Sequence, residues 1–202
     1  MNIEYKHCVN KFKMDYIKGQ KFEQINYKEK PFIAGEYGEC IFSDCDFSET
    51  NLSETIFSDC EFNRCNISLA KLTKTTFQNV EFHDCKMLGL HFEDCNEFGL
   101  SFKFTNCILN HSSFYKTKIK KTIFTDSQLI EIDFTECDLS NSTFNNCDFS
   151  GTIFENTNIQ KADFRSSYNF SINPEINKIK KAKFSVQNIS GLLDSYDIQI
   201  DN

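Results

Sequence analysis

Ten cysteines and four histidines are the residues of this 202-residue chain best suited to chemistry. His83-x-Cys85 and His91-x-x-x-Cys95 fall in one short stretch and offer imidazole and thiolate, the ligands that zinc prefers. The other cysteines could instead form a disulfide framework. Either reading requires the side chains to converge, so the elements that carry them decide the matter.

Those elements follow a period of five. Small and large residues alternate as Cys40-x-Phe42, Cys45-x-Phe47, Thr50-x-Leu52, Thr55-x-Phe57, Cys60-x-Phe62, Cys65-x-Ile67 and Ala70-x-Leu72. After one interruption the pattern resumes at Cys107-x-Leu109 and runs to Ala162-x-Phe164. Five matches neither the helical period nor plain strand alternation. Within each pentad, however, positions i−2 and i of an extended segment face the same side. Each pentad can therefore be a very short strand with one small and one large residue inward, followed by a turn.

Columns at a spacing of twenty set the size of a coil. Phe22, Phe42, Phe62, Phe82 and Phe102 form one column, and Phe104, Phe124, Phe144, Phe164 and Phe184 form another. Phe114, Phe134 and Phe154 make a third, and Ile119, Leu139, Ile159 and Ile179 a fourth. Four pentads per coil would stack these residues at the usual strand spacing of ~4.8 Å. An all-β solenoid follows, stabilised by neighbouring coils rather than by one large centre.

This arrangement answers the chemistry. Nine of the ten cysteines, all except Cys8, occupy the small inward position, where Ser, Thr and Ala also stand. They read as structural free thiols. Cys85 and Cys95 lie two pentads apart and point inward from opposite walls, whereas His83 and His91 flank Phe82 and Phe92 and point out. No zinc site is expected. His7 and His111 have no obvious acidic or thiol partner. There is no phosphate-binding glycine loop and no serine or cysteine nucleophile motif. Neither an enzyme activity nor a cofactor is expected.

Met1 to Met14 lacks the apolar run of a secretory signal, and no stretch is long enough for a membrane span. The expectation is a cytoplasmic protein without membrane contact. Residues 1–39 keep the large-residue phase but lose the small residue, with Asp15, Gln20 and Lys30 in its place, and read as an irregular N-terminal cap with the first coils. Residues 40–166 form the regular solenoid. It carries a bulge near 97–103, because Glu97 stands where a large apolar residue is due and later pentads shift by two. Residues 167–202 read as a C-terminal cap, with a short helix over 186–195 and a final strand through Tyr196, Ile198 and Ile200. Leu192, Leu193, Tyr196 and Ile198 are candidate dimerisation residues.

The repeated pentads resemble those of the pentapeptide-repeat family, strongly over residues 40–165. The resemblance implies a right-handed, quadrilateral parallel β-helix. In length, and in ending with a helix and strand, the chain is also similar to the quinolone-resistance type within that family. That similarity implies dimerisation through the C-terminal end and binding, as a DNA mimic, to DNA gyrase or topoisomerase IV.

Charge fits such a role in part. The chain carries −7, and residues 40–102 hold eleven acids against four bases, so this segment accounts for the whole net charge. An acidic rod attracts basic surfaces and disfavours direct binding of nucleic acid. Glu61, Glu81, Asp84 and Asp94 are the candidate interaction surface. The alternative is a structural or scaffold repeat whose charges serve solubility and whose walls bind another protein.

Overall fold

The computed structural model describes residues 15–199. Its strands are as short as the pentads require: β1 (Tyr16–Lys18), β2 (Lys21–Glu23), β3 (Glu36–Gly38), β4 (Ile41–Ser43), β5 (Ile56–Ser58), β6 (Glu61–Asn63), β7 (Thr76–Gln78), β8 (Val80–His83), β9 (Phe102–Thr105), β10 (Ile123–Thr125) and β11 (Thr143–Asn145). All pair in parallel. β2, β4, β6, β8, β9, β10 and β11 form one sheet, here the first wall. β1, β3, β5 and β7 form the second sheet, which is the N-terminal half of the fourth wall. The second and third walls, and the rest of the fourth, are held by single parallel bridges such as Asn26↔Asp46↔Asn66↔Lys86 and Lys118↔Asp138↔Asn158↔Lys178. The architecture is a four-walled parallel β-solenoid.

The register confirms the coil length. Phe42 faces Phe62 and Phe62 faces Phe82, twenty residues apart. Phe82 faces Phe104, twenty-two apart, while Phe102 faces Val80. Phe104 and not Phe102 therefore continues the Phe22–Phe82 column, the two expected columns are one, and the two extra residues are absorbed without breaking the first wall. Nine rings from Phe22 to Phe184 stack along this wall with centroids 4.6–5.4 Å apart. Stacked aromatic pairs add ~0.5–1.5 kcal/mol each beyond area burial.

The small inward position often does more than fit. Its side chain can donate to a carbonyl of the coil below, as Cys60 Sγ does to Tyr37 O at 3.2 Å, Cys85 Sγ to Phe62 O at 3.3 Å, and Thr75 Oγ1 to Leu52 O and Thr157 Oγ1 to Phe134 O, both at 2.8 Å. Cys, Ser and Thr share smallness and a donor, which explains their interchange.

The corners carry strain. Residues such as Asp44, Glu49, Glu54, Asp59 and Arg64 sit at φ between 52° and 62° although none is glycine. Left-handed backbone costs a non-glycine residue on the order of 1 kcal/mol. The cost is offset by ladder bonds at the same residues, as where Glu49 N donates to Ser68 O at 2.9 Å and Thr50 N closes the turn onto Phe47 O at 3.0 Å.

The ladder reaches back to Tyr16, although the small residue is missing from the first coils. Backbone bonds carry it there, as Glu36 N donates to Asp15 O and Ile41 N to Gln20 O, each at 2.9 Å, and Cys40 and Cys45 Sγ add contacts to Ile17 O and Phe22 O at 3.5 Å. The bulge is a loop over 96–101, pinned where Asn96 N meets Thr75 O and Ser101 N meets Phe77 O. The ladder resumes at Phe102. Glu97 is exposed, and Phe98 is 83% exposed.

At the C-terminus two 3-10 helices, Val186–Leu192 and Asp194–Tyr196, cover the last coil. The strand expected after them does not form among the described residues. Tyr196 N bonds back to Leu193 O, and Asp197 turns left-handed at φ 48°, so the apparent alternation of Tyr196 and Ile198 is broken. Ile200 lies outside the described residues, as do Cys8 and His7. No helix among the described residues is long and apolar enough to cross a membrane.

Candidate interaction surface

Glu61 and Glu81 stand side by side on the first wall, in register on β6 and β8. Asp84 occupies the next corner, at φ 55°. These three acids share one side of the rod. Asp94 ends the short 3-10 turn Phe92–Asp94, which begins at the third-wall residue Phe92, so it stands on the diagonally opposite side.

Opposite charges temper this row. Lys103 follows Glu81 in register and its Nζ lies 3.1 Å from Glu81 Oε2, while His83 Nε2 lies 3.2 Å from the same oxygen. Arg64 grips Asp44 with two bonds of 2.7 and 2.8 Å, and this guanidinium holds the Asp44 carboxyl below its ordinary range. Asp84 accepts from Asn106 Nδ2 at 2.6 Å. Glu61 has no ion pair among the described residues.

Many other acids serve the backbone. Asp46, Asp133, Asp138 and Asp148 each accept the N–H two residues on, at 2.8–3.0 Å, closing the turn that follows. Asp163 does the same with Arg165 and also takes its guanidinium at 2.8–2.9 Å. That guanidinium, with Lys183, holds the Asp163 carboxyl at about 2 against its partial burial. The signal that could have found these acids is the Asp/Asn-x-Ser/Thr spacing at the residue before the large one.

His111 corrects a further expectation, since its Nδ1 lies 2.9 Å from Glu131 Oε2, exactly one coil (twenty residues) later in chain order. His91 Nδ1 lies 2.9 Å from Glu93 Oε1. The nine described cysteines are free and buried. Burial pushes the Cys60, Cys137 and Cys147 thiols up to about 12. Among the described residues no group of three or more His, Cys, Asp or Glu side chains could hold a metal ion.

Of the candidate dimerisation residues, Leu192 packs partly against the core, Leu193 is half-buried, and Tyr196 and Ile198 are 48% and 57% exposed. The Tyr196 hydroxyl donates to Glu175 Oε1 at 2.9 Å, tying this end to the last coil.

Comparison with known proteins agrees with this geometry. No curated protein sequence matches the chain significantly. Among solved structures, a trypsin-treated variant of QnrB1, described as a plasmid-mediated fluoroquinolone resistance protein, aligns at 19% identity and a TM-score of 0.60 over 96% of this chain and 94% of that one. Full-length QnrB1 aligns at 19% identity and a TM-score of 0.54, covering 91% of this chain and 100% of that one. HetL from the cyanobacterium Nostoc sp. strain PCC 7120 aligns at 11% identity and a TM-score of 0.34, over 86% and 89% of the two chains. At 19% identity the likeness to the two QnrB1 structures is one of fold. The family description "Pentapeptide repeat region" matches residues 36–103 and 101–168, and the chain belongs to the pentapeptide-repeat family.

Proposed function

We propose that this protein is a non-enzymatic interaction solenoid that imitates DNA and binds the DNA-contacting surface of DNA gyrase or topoisomerase IV. The observation that carries this reading is the pair Glu61 and Glu81, presented in register on a continuous parallel sheet with Asp84 beside them. A rigid row of carboxylates can imitate backbone phosphates because its spacing is fixed before binding. The likeness in fold to QnrB1, a fluoroquinolone resistance protein, supports the choice of partner. In this reading the protein acts in the cytoplasm, and the C-terminal end, through Leu192, Leu193, Tyr196 and Ile198, joins two rods into a longer surface.

A scaffold role is the second reading, and the ion pairs of Glu81 with Lys103 and of Asp44 with Arg64 favour it. A gyrase supercoiling assay with and without a quinolone separates the two. Inhibition or drug protection that disappears in the E61Q/E81Q/D84N/D94N variant supports imitation of DNA. No effect at tens of micromolar protein transfers the function to a scaffold.

A further inference from the structure

Charge is segregated around the rod as well as along it. On the last four coils the fourth wall and its trailing corner present Lys118, Lys120, Lys121, Lys161, Lys178, Lys180 and Lys181, with Asp138 as the one carboxylate among them. The seven lysines are all exposed. Lys120 pairs with Asp138 at 3.2 Å, and the other six have no ion-pair partner among the described residues. A protein of net charge −7 thus carries one strongly cationic wall.

The net charge of −7 disfavours direct binding of nucleic acid by the rod as a whole, but a local wall of lysines reverses that expectation, and we propose that this wall binds the phosphate backbone of duplex nucleic acid. Its accessible groups are ammonium and amide besides the single carboxylate of Asp138. It has no aromatic residue on which an unpaired base could stack. It has no apolar position to seat the side chains of an acidic peptide. Groups of this kind contact phosphates without reading sequence.

The spacing fits as well. Lys118, Lys120 and Lys121 form one cluster, and Lys178, Lys180 and Lys181 form another three coils away. At ~4.8 Å per coil the clusters are roughly 14 Å apart. The major groove of B-DNA is about 12 Å wide, so the two clusters can meet phosphates on opposite sides of it. Lys161 and Asn141 stand between them along the corner, both at positive φ, 60° and 64°. The candidate acids Glu61, Glu81 and Asp84 belong to the first wall and its corner; Glu81 lies two coils before Ile123, the first-wall residue next to Lys121, roughly 10 Å away along the axis at ~4.8 Å per coil. That separation is just beyond the ~8 Å over which charge acts at physiological salt, and Lys103, paired with Glu81, lies between.

Fluorescence anisotropy with a labelled 20-base-pair duplex, titrated from 50 to 200 mM salt, tests the proposal. The expected result is salt-sensitive duplex binding with no preference for sequence. In K121Q/K161Q/K181Q the slope of log K against log salt should fall by about 3, near one per lysine removed. K118Q/K120Q/K178Q/K180Q should weaken binding at least tenfold, whereas E61Q/E81Q should bind the duplex undiminished. That last variant separates this proposal from the gyrase reading, which depends on those carboxylates. Absence of duplex binding at 50 mM salt would overturn the proposal. So would binding that both lysine variants retain, or equal or tighter binding of a single strand or of polyglutamate.

Discussion

Replacing Phe62 by Ala tests the stacking logic at its centre. Phe62 is 1% exposed. Its ring stacks on Phe42 at 4.8 Å and Phe82 at 5.1 Å, and it meets Phe57 and Phe47 edge-on at 5.3 and 5.7 Å. Losing a buried Phe forfeits ~1.5–3 kcal/mol of transfer free energy. The neighbours above and below are fixed by the ladder at strand spacing, so the wall cannot close over the void and the cavity cost is added. The total should reach ~3–5 kcal/mol. For a chain of this size each kcal/mol corresponds to a Tm shift of roughly 2–4 °C. Urea unfolding followed by far-ultraviolet circular dichroism measures the loss, with Phe98→Ala as the control. Phe98 is 83% exposed, and its removal should change stability by less than ~0.5 kcal/mol. A loss below ~1 kcal/mol for Phe62→Ala, or equal losses for the two variants, would refute a column whose coils depend on one another.

Three further outcomes are expected. In the native protein at pH 8 at most one thiol, Cys8, should react with a thiol reagent, and all ten should react in denaturant; several reactive native thiols would contradict the burial of the nine described cysteines. Gly191→Ala should cost ~1–3 kcal/mol by overpacking. The added methyl group would fall on the Phe170 carbonyl oxygen, and hydrogen exchange should rise at the Ile172 amide, which donates to Gly191 O at 2.8 Å; unchanged exchange there would show that the C-terminal cap is not seated on this coil. Asp163 has a folded pKa of about 2, below the ~3.9 of an unfolded aspartate, so its stabilisation is complete above pH ~3.9 and is lost as pH falls toward 2. Asp163→Asn should therefore lower stability at pH 7 and flatten its dependence between pH 4 and 2; a variant with the wild-type acid profile would remove Asp163 from this account.

The columns were legible because the spacing of twenty places Phe42, Phe62 and Phe82 in line whatever lies between them. Glu97 betrayed the bulge by standing where the core needs an apolar side chain. What escaped linear reading was lateral. His111 and Glu131 are one coil apart, and only the closed coil makes them neighbours. The lysine wall is hidden for the same reason, since its members alternate in sequence with acids such as Asp126 and Glu131 that belong to other walls. Local alternation misled at Tyr196 and Ile198, where the bond to Glu175 and the left-handed Asp197 favour a helical turn over a strand.

The loop over 96–101 leaves the ladder at Asn96 and rejoins it at Ser101, while Phe82 and Phe104 remain stacked at 5.3 Å. Of the residues between those anchors Leu100 packs against the core, whereas Glu97, Phe98 and Gly99 are exposed, so the coil tolerates chain spliced in at 97–99. Doubling the loop length should cost only ~0.6 kcal/mol of closure entropy. This position is thus a natural grafting port, where a foreign peptide could be displayed on a stiff shaft without disturbing the coils on either side.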